Sequence, residues 1–323
     1  MGTVWRALDS RLNREVALKV LHAGIQDSGP QASALSREAR AMAAVEHPGI
    51  VPIYELQLDS EPPFMAMRLM LGGTLAERLA AGPLELDEVV RVATQVAGAL
   101  DSIHARGLTH ADVKPSNILF DERGNAYLSD FGIAYAASGS LTLPAPTAAG
   151  AAHYMSPERI LHGGKPQSSW DLYGLAMSCY EALAGRPAFQ GDWNAVMSQQ
   201  LHAPTPPVTD FVPTIAAGCV AALATALAKD PSERFESGAH FVADLAAERP
   251  PLSVRTVVGP PRPGVIKWLR TRDPDRMALG VTIWAITVGY LLQHFHIVDL
   301  GLPYSLRGLV ESRWNNIKSI VGG

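Results

Sequence analysis

Four side chains in the middle of the sequence have the chemistry needed to move a phosphoryl group: Asp112, Lys114, Asn117 and Asp130. A carboxylate can orient an attacking hydroxyl and accept its proton, and a lysine can balance phosphate charge. Carboxylate and amide oxygens are hard ligands of the kind that Mg²⁺ prefers. The types and order of these residues therefore favour phosphoryl transfer from a nucleotide to a hydroxyl group.

The local elements around these residues predict how two of them meet. Short apolar segments at 117–119 and 126–128 are typical of strands, and the polar, glycine-containing stretch 121–125 between them is typical of a turn. Such a hairpin would bring Asn117 and Asp130 to a common metal site.

The first 248 residues predict an α+β fold with two lobes. Residues 1–70 contain strand-like segments at Thr3–Ala7 and Glu15–Leu21 and a helical segment at Gln31–Val45. Residues 71–248 have mostly helical apolar spacing. One helical stripe in this part consists of Val89, Val92, Ala93, Val96 and Leu100. We therefore expect a small β-rich lobe followed by a larger α-helical lobe.

Two motifs in the right order extend this interpretation. The segment 110–117 is His-Ala-Asp-Val-Lys-Pro-Ser-Asn, and Asp-Phe-Gly follows at 130–132. From residue 2 to about residue 247 the chain resembles the eukaryotic-like Ser/Thr protein kinases of the bacterial type. The resemblance implies a bilobal kinase fold, ATP with Mg²⁺ (or Mn²⁺), and protein substrates with Ser or Thr acceptors. The implied catalytic residues are Asp112 as the base and Lys114 beside it, with Asn117 and Asp130 as metal ligands.

The resemblance also implies a nucleotide site in the first lobe. Lys19, in Val-Ala-Leu-Lys, would hold the α- and β-phosphates, with Glu38 as its partner and Glu46 as a rival partner. Met67 takes the gatekeeper place, and Leu69 lies in the hinge where adenine would bond to the backbone. The other implied nucleotide contacts are Gly2, Val4, Ala17 and Leu119.

Three further positions resemble structural parts of the same family. Glu158, in Met-Ser-Pro-Glu, would form a buried pair with Arg234. Asp171 would cap the backbone of the catalytic loop from a central helix. These residues argue against a small-molecule phosphotransferase, because they resemble the half of a protein kinase that docks its substrate.

Three departures from the family pattern leave alternatives open. Gly2-Thr3-Val4 matches only the end of the glycine-rich loop, which predicts an N-terminal truncation. Ala111 replaces the arginine before the base, and 150–152 is Gly-Ala-Ala where the family usually has Gly-Thr-Pro. The runner-up hypothesis is accordingly a pseudokinase scaffold that keeps the fold but transfers little phosphate.

The composition excludes some classes of function. Apolar residues make up 47% and charged residues 18% of the chain, so a sizeable core is expected. The net charge of -4 gives no sign of nucleic-acid binding. A homodimer is left open.

The last quarter of the chain predicts membrane attachment. Residues 249–276 form a proline-rich, basic linker, 277–298 is an uncharged run of 22 residues, and 299–323 has the spacing of an amphipathic tail. A helix of 22 residues is roughly 30 Å long, the thickness of a bilayer core. Basic residues precede the run: Lys267, Arg270, Arg272 and Arg276. The positive-inside rule therefore predicts a single-pass protein of the cytoplasmic membrane, partnered by the lipid bilayer, with its first 248 residues in the cytoplasm.

Overall fold

The computed structural model describes residues 3–20, 41, 44–58, 60–130 and 149–247. The chain divides into two compact units, Met1–Ser253 and Val254–Gly323, and all the described residues belong to the first unit. Most of the predicted helix at Gln31–Val45 lies outside the described residues, as do the predicted linker, membrane span and tail.

The first lobe is a four-stranded antiparallel sheet. Its strands are β1 (Thr3–Asp9), β2 (Arg14–Val20), β3 (Ile53–Gln57) and β4 (Phe64–Arg68). Their order across the sheet is β1-β2-β4-β3. The Asp9 carboxylate accepts backbone hydrogen bonds in the turn after β1, which the cluster of polar residues there predicts. The two strands predicted in this region are confirmed.

The register of the sheet places the predicted nucleotide-site residues on one face. Val4 lies opposite Lys19, and Ala17 lies opposite Met67. Residues two apart in a strand share a face, and so do directly paired residues of neighbouring strands. Val4, Ala17, Lys19 and Met67 therefore share one side of the sheet.

The second lobe is mostly helical. In chain order its α-helices are α1 (Leu75–Ala81), α2 (Leu86–His104), α3 (Ala149–Ala152), α4 (Pro157–His162), α5 (Ser168–Ala184), α6 (Trp193–His202), α7 (Ala217–Ala226) and α8 (Gly238–Leu245). The predicted apolar stripe of α2 is buried throughout, which confirms it. Burial of such a stripe is the main stabilisation of an amphipathic helix.

Helix α5 lies at the centre of this lobe. Most of its residues are buried all round, as expected of a helix surrounded by other elements. Gly174 lets it approach the catalytic segment closely, because a Cβ atom there would lie 2.6 Å from the carbonyl oxygen of Val113. Helix α5 therefore packs directly against Val113, the residue after the predicted base Asp112.

A short hairpin completes the part of the second lobe that carries the site. Strands β5 (Ile118–Phe120) and β6 (Ala126–Leu128) pair antiparallel, with Asp121 bonding the backbone of the turn. The hairpin predicted from the sequence is thus confirmed.

The predicted two-lobed arrangement, a sheet followed by a helical lobe, is confirmed. Within the described ranges, no helix has both the length and the apolar character needed to cross a bilayer. The predicted span at 277–298 is outside those ranges, and the predicted domain boundaries stay predictions.

Candidate active site

Helix α5 holds the loop that carries Asp112 through hydrogen bonds to its backbone. The Asp171 carboxylate is fully buried and accepts hydrogen bonds from the backbone N–H groups of His110 (2.8 Å) and Ala111 (2.7 Å). The ring of His104, at the end of α2, contacts the same carboxylate at 2.8 Å. The predicted cap of the catalytic loop by Asp171 is present.

His110 joins this loop to the segment before Asp130. Its Nδ1 atom accepts a hydrogen bond from the backbone N–H of Asp112 (3.2 Å), and its Nε2 atom lies 2.7 Å from the carbonyl oxygen of Ser129. Because Nδ1 accepts a hydrogen bond, Nε2 is the ring nitrogen that can donate to the carbonyl oxygen of Ser129. The buried His110 side chain thus connects the backbone of Asp112 to that of Ser129, the residue before Asp130.

Asp112, Lys114 and Asn117 form one contact cluster. The Lys114 Nζ atom lies 2.6 Å from Asp112 Oδ2. The Asn117 side-chain amide donates to the backbone oxygen of Asp112 (2.7 Å) and to Asp112 Oδ2 (2.9 Å). Because the NH₂ group makes these bonds, the amide oxygen of Asn117 is the atom suited to bind a cation.

Lys19 reaches across from the sheet to Asp130. Its Nζ atom lies 2.6 Å from Asp130 Oδ1, and the two side chains are only 18% and 32% exposed. Asp130 has a positive φ of 59°, an uncommon conformation for a residue with a side chain. Glu38 lies outside the described residues, and its rival Glu46 is exposed. The ion pair therefore links the two lobes at the site.

The oxygen donors of the site suit a small divalent cation that is bound partly by the protein and partly by phosphate groups. Among the residues that the structure describes, no group of three or more His, Cys, Asp or Glu side chains could hold a metal ion alone. Asn117 and Asp130 offer an amide and a carboxylate oxygen, and Mg²⁺ is commonly bound by one or two protein carboxylates together with phosphate and water. The donor set fits Mg²⁺ better than a softer metal.

The predicted adenine-site residues are partly brought together. Ala17 and Met67 belong to one buried apolar cluster, and Leu69 and Leu119 pack against it. Val4 shares the face of Lys19 but is 52% exposed, and Gly2 lies outside the described residues. The nucleotide roles of these residues stay predictions.

A buried ion pair joins helix α4 to the segment before helix α8. The guanidinium group of Arg234 binds both carboxylate oxygens of Glu158, at 2.9 and 2.8 Å. Burial by itself would raise the pKa of Glu158, but the hydrogen bonds and the charge of Arg234 outweigh it, and the net pKa is lowered. The predicted pair is present.

Two residues near the site were missed by sequence reasoning. Arg159 donates to the carbonyl oxygen of Ala111 at 2.6 Å. Gln200, buried in α6, donates to the carbonyl oxygens of Ala152 (3.2 Å) and His153 (2.8 Å). A lone Arg or Gln in a helix is usually a surface residue, so no signal in the sequence marks either of them.

Comparison with known proteins defines the class. Residues 1–243 match the protein kinase domain family. The crystal structure of the Mycobacterium tuberculosis PknI kinase domain superimposes with a TM-score of 0.59 at 28% identity, covering 76% of this chain and 90% of that one. The two-lobed fold and its site are therefore those of a protein kinase, and the chain belongs to the protein kinase domain family.

Among protein kinases, the chain is similar to bacterial Ser/Thr-protein kinases. The chain is 35% identical over 248 residues to the Ser/Thr-protein kinase PknL of Mycobacterium tuberculosis, which covers 76% of this chain and 62% of that protein. It is 33% identical over 247 residues to the Ser/Thr-protein kinase PrkC of Bacillus subtilis, covering 76% of this chain and 38% of that protein. The match thus spans less than two thirds of either relative.

Proposed function

We propose that this protein transfers the γ-phosphoryl group of ATP to Ser or Thr hydroxyls of other proteins. The observation that carries the proposal is two side-chain contact groups joined through one backbone segment. Lys19 from the sheet pairs with Asp130, and Asp112, Lys114 and Asn117 contact one another. Ser129, the residue before Asp130, donates to the carbonyl oxygen of Asn117 from both its backbone N–H and its hydroxyl. Its family and its named relatives, which are Ser/Thr protein kinases, support the same activity.

Asp112 and Lys114 suit the acceptor side of the reaction. Asp112 would accept a hydrogen bond from the substrate hydroxyl, orient its oxygen toward the γ-phosphorus and take its proton. Lys114, which lies 2.6 Å from this carboxylate, would offset the negative charge on the transferred group. Both roles depend on position rather than on covalent chemistry of the protein.

Lys19, Asn117 and Asp130 suit the nucleotide side. Lys19 would bind the α- and β-phosphates, while Asn117 and Asp130 would hold Mg²⁺ (or Mn²⁺), which supplies charge neutralisation at the phosphates when bound. The apolar cluster around Ala17 and Met67 offers a surface for adenine. The Lys19–Asp130 ion pair holds two of these groups close together.

The test compares the wild-type protein with Asp112→Asn in a radiolabelled ATP assay on a generic basic protein. The amide cannot accept the proton, so kcat should fall by about 10²- to 10⁴-fold. Asp87→Asn, which removes an exposed carboxylate at the start of α2, is the matched control and should leave the rate unchanged.

Three other results would redirect the proposal. Equal incorporation by wild type and Asp112→Asn would rule out this active site. A rise in melting temperature with ATP but no transfer would support the pseudokinase scaffold instead. Labelling of a small molecule without labelling of protein would support a small-molecule phosphotransferase.

We also propose that the chain is attached to the cytoplasmic membrane. The uncharged run at 277–298 and the basic residues before it support a single span with the kinase domain in the cytoplasm. Removal of residues 277–323 should move the protein from the membrane pellet to the supernatant in the absence of detergent. A full chain that stays in the supernatant would contradict this attachment. Light scattering on the shortened chain would also decide whether it forms a homodimer.

A further inference from the structure

The residue before Asp112 adopts a backbone conformation that needs support. Ala111 has a φ of 63°, in the left-handed region that residues with a Cβ atom rarely adopt. Its methyl side chain has no polar atom with which to anchor itself. The conformation that directs Asp112 therefore depends on hydrogen bonds to the backbone of Ala111.

Arg159 makes one of these hydrogen bonds from helix α4. Its Nη1 atom donates to the carbonyl oxygen of Ala111 at 2.6 Å. That oxygen belongs to the same peptide group as the N–H of Asp112, which donates to His110 Nδ1 at 3.2 Å. The peptide group is thus held at its oxygen by Arg159 and at its nitrogen by His110. Because a peptide is planar, fixing both ends fixes the direction in which Asp112 leaves it.

Arg159 is itself placed by rigid neighbours. The preceding residue, Glu158, is bound through both oxygens by Arg234. The guanidinium carbon of Arg159 lies 5.6 Å from the centre of the Trp170 ring, within the range of a cation–π contact. Trp170 is followed directly by Asp171, which holds the N–H of Ala111. The first turn of α5 therefore supports both sides of Ala111.

We propose that Arg159 is a positioning residue, which orients the catalytic base by holding the peptide group between Ala111 and Asp112. The effect on rate rests on the proposed kinase activity, whereas the effect on the loop does not. Arg159 lines the same small cavity as Asp112 but is assigned no contact with the nucleotide. Its loss should therefore act on turnover rather than on ATP binding.

The kinetic test uses Arg159→Met, which keeps an apolar stem to pack on Trp170 but removes every donor. A hydrogen bond from a charged donor is lost, so kcat should fall about 10- to 100-fold while KM for ATP stays within about twofold. Arg159→Lys keeps one charged donor and should recover part of kcat. Arg91→Met is the matched control, because Arg91 also donates to a backbone carbonyl oxygen, that of Gly124 at 2.7 Å, but does not contact the peptide group between Ala111 and Asp112.

A second measurement needs no activity. Hydrogen–deuterium exchange is followed at the amides of Ala111 and Asp112 in wild type and the three variants. Arg159→Met should speed exchange at these amides, Arg159→Lys should do so less, and Arg91→Met should not change it.

The two measurements separate the two proposals. An inactive wild type would refute the kinase activity. The exchange rates at Ala111 and Asp112 would still test whether Arg159 holds the loop. Unchanged exchange in Arg159→Met would overturn that role, and so would faster exchange with an unchanged kcat in an active enzyme. A rise in KM for ATP equal to the fall in kcat/KM would overturn it as well, because it would assign Arg159 to nucleotide binding.

Discussion

The Arg234–Glu158 pair tests how burial changes the contribution of an ion pair to the free energy of unfolding. Their contact is bidentate, and their side chains are only 1% and 12% exposed. In Arg234→Ala the Glu158 carboxylate would stay buried without its partner. Breaking a buried pair in this way typically costs about 3–5 kcal/mol. For a domain of this size each kcal/mol lowers Tm by about 2–4 °C, so Tm should fall by about 6–20 °C.

The chain contains a matched exposed pair as a control. Arg6 binds both oxygens of Glu15, at 2.8 and 2.7 Å, but these side chains are 64% and 49% exposed. Arg6→Ala should leave Tm nearly unchanged, because solvent screens such a pair. Thermal and urea unfolding, followed by circular dichroism, measure both variants. Similar losses of stability in Arg234→Ala and Arg6→Ala would refute the idea that burial determines how much an ion pair stabilises the protein.

The pH dependence of the buried pair has a definite sign. The folded-state pKa of Glu158 is lowered, so the pair stabilises the protein fully above the unfolded-state pKa and loses this effect as pH falls through the folded-state pKa. In Arg234→Ala the unpaired carboxylate is instead protonated more readily. The stability gap between wild type and variant should therefore narrow on acidification from pH 7. A gap that widens toward acid would contradict this assignment.

Three further changes have defined outcomes. Gly174→Ala should lower both Tm and kcat, because its new Cβ atom would clash with the carbonyl oxygen of Val113, next to the proposed base Asp112. A kinase assay and a melting curve check both, and an unaltered kcat would show that this close approach does not position the loop. Gln200→Leu should reduce the free energy of unfolding in urea by about 1–3 kcal/mol, since it leaves buried carbonyl groups without a donor; a smaller loss would mean that water replaces the amide. Burial and the nearby charge of Arg234 lower the pKa of Lys229 to about 8, so stability should rise as pH increases from about 8 toward 10, and Lys229→Met should abolish that rise.

Much of the fold follows from local patterns. The stripe of α2, the first two strands and the hairpin between β5 and β6 all appear where periodicity and turn residues predict them. Each of these patterns depends on residues that are close together in the chain. A helix or strand predicted from such a pattern forms when its apolar face packs against another element. The buried Glu158–Arg234 pair was expected from the family resemblance rather than from any such pattern.

The contacts between distant elements could not be derived in the same way. The resemblance named Glu38 as the partner of Lys19, and that prediction lies outside the described residues. The described contact of Lys19 is with Asp130, 111 residues along the chain. The direct hydrogen bond from Arg159 to Ala111 joins residues 48 positions apart. Neither spacing has a period that a helix or strand would produce, so no sequence pattern encodes it.

The sequence by itself determined which chemical groups are available: two carboxylates, two lysines and an amide, in an order typical of phosphoryl transfer. The tertiary structure decided which atoms meet, including how Asp171, His110 and Arg159 hold the backbone that directs Asp112. The physical reason is that residue types and short-range periodicity are properties of the chain, whereas the distance between two side chains depends on how whole helices and strands pack.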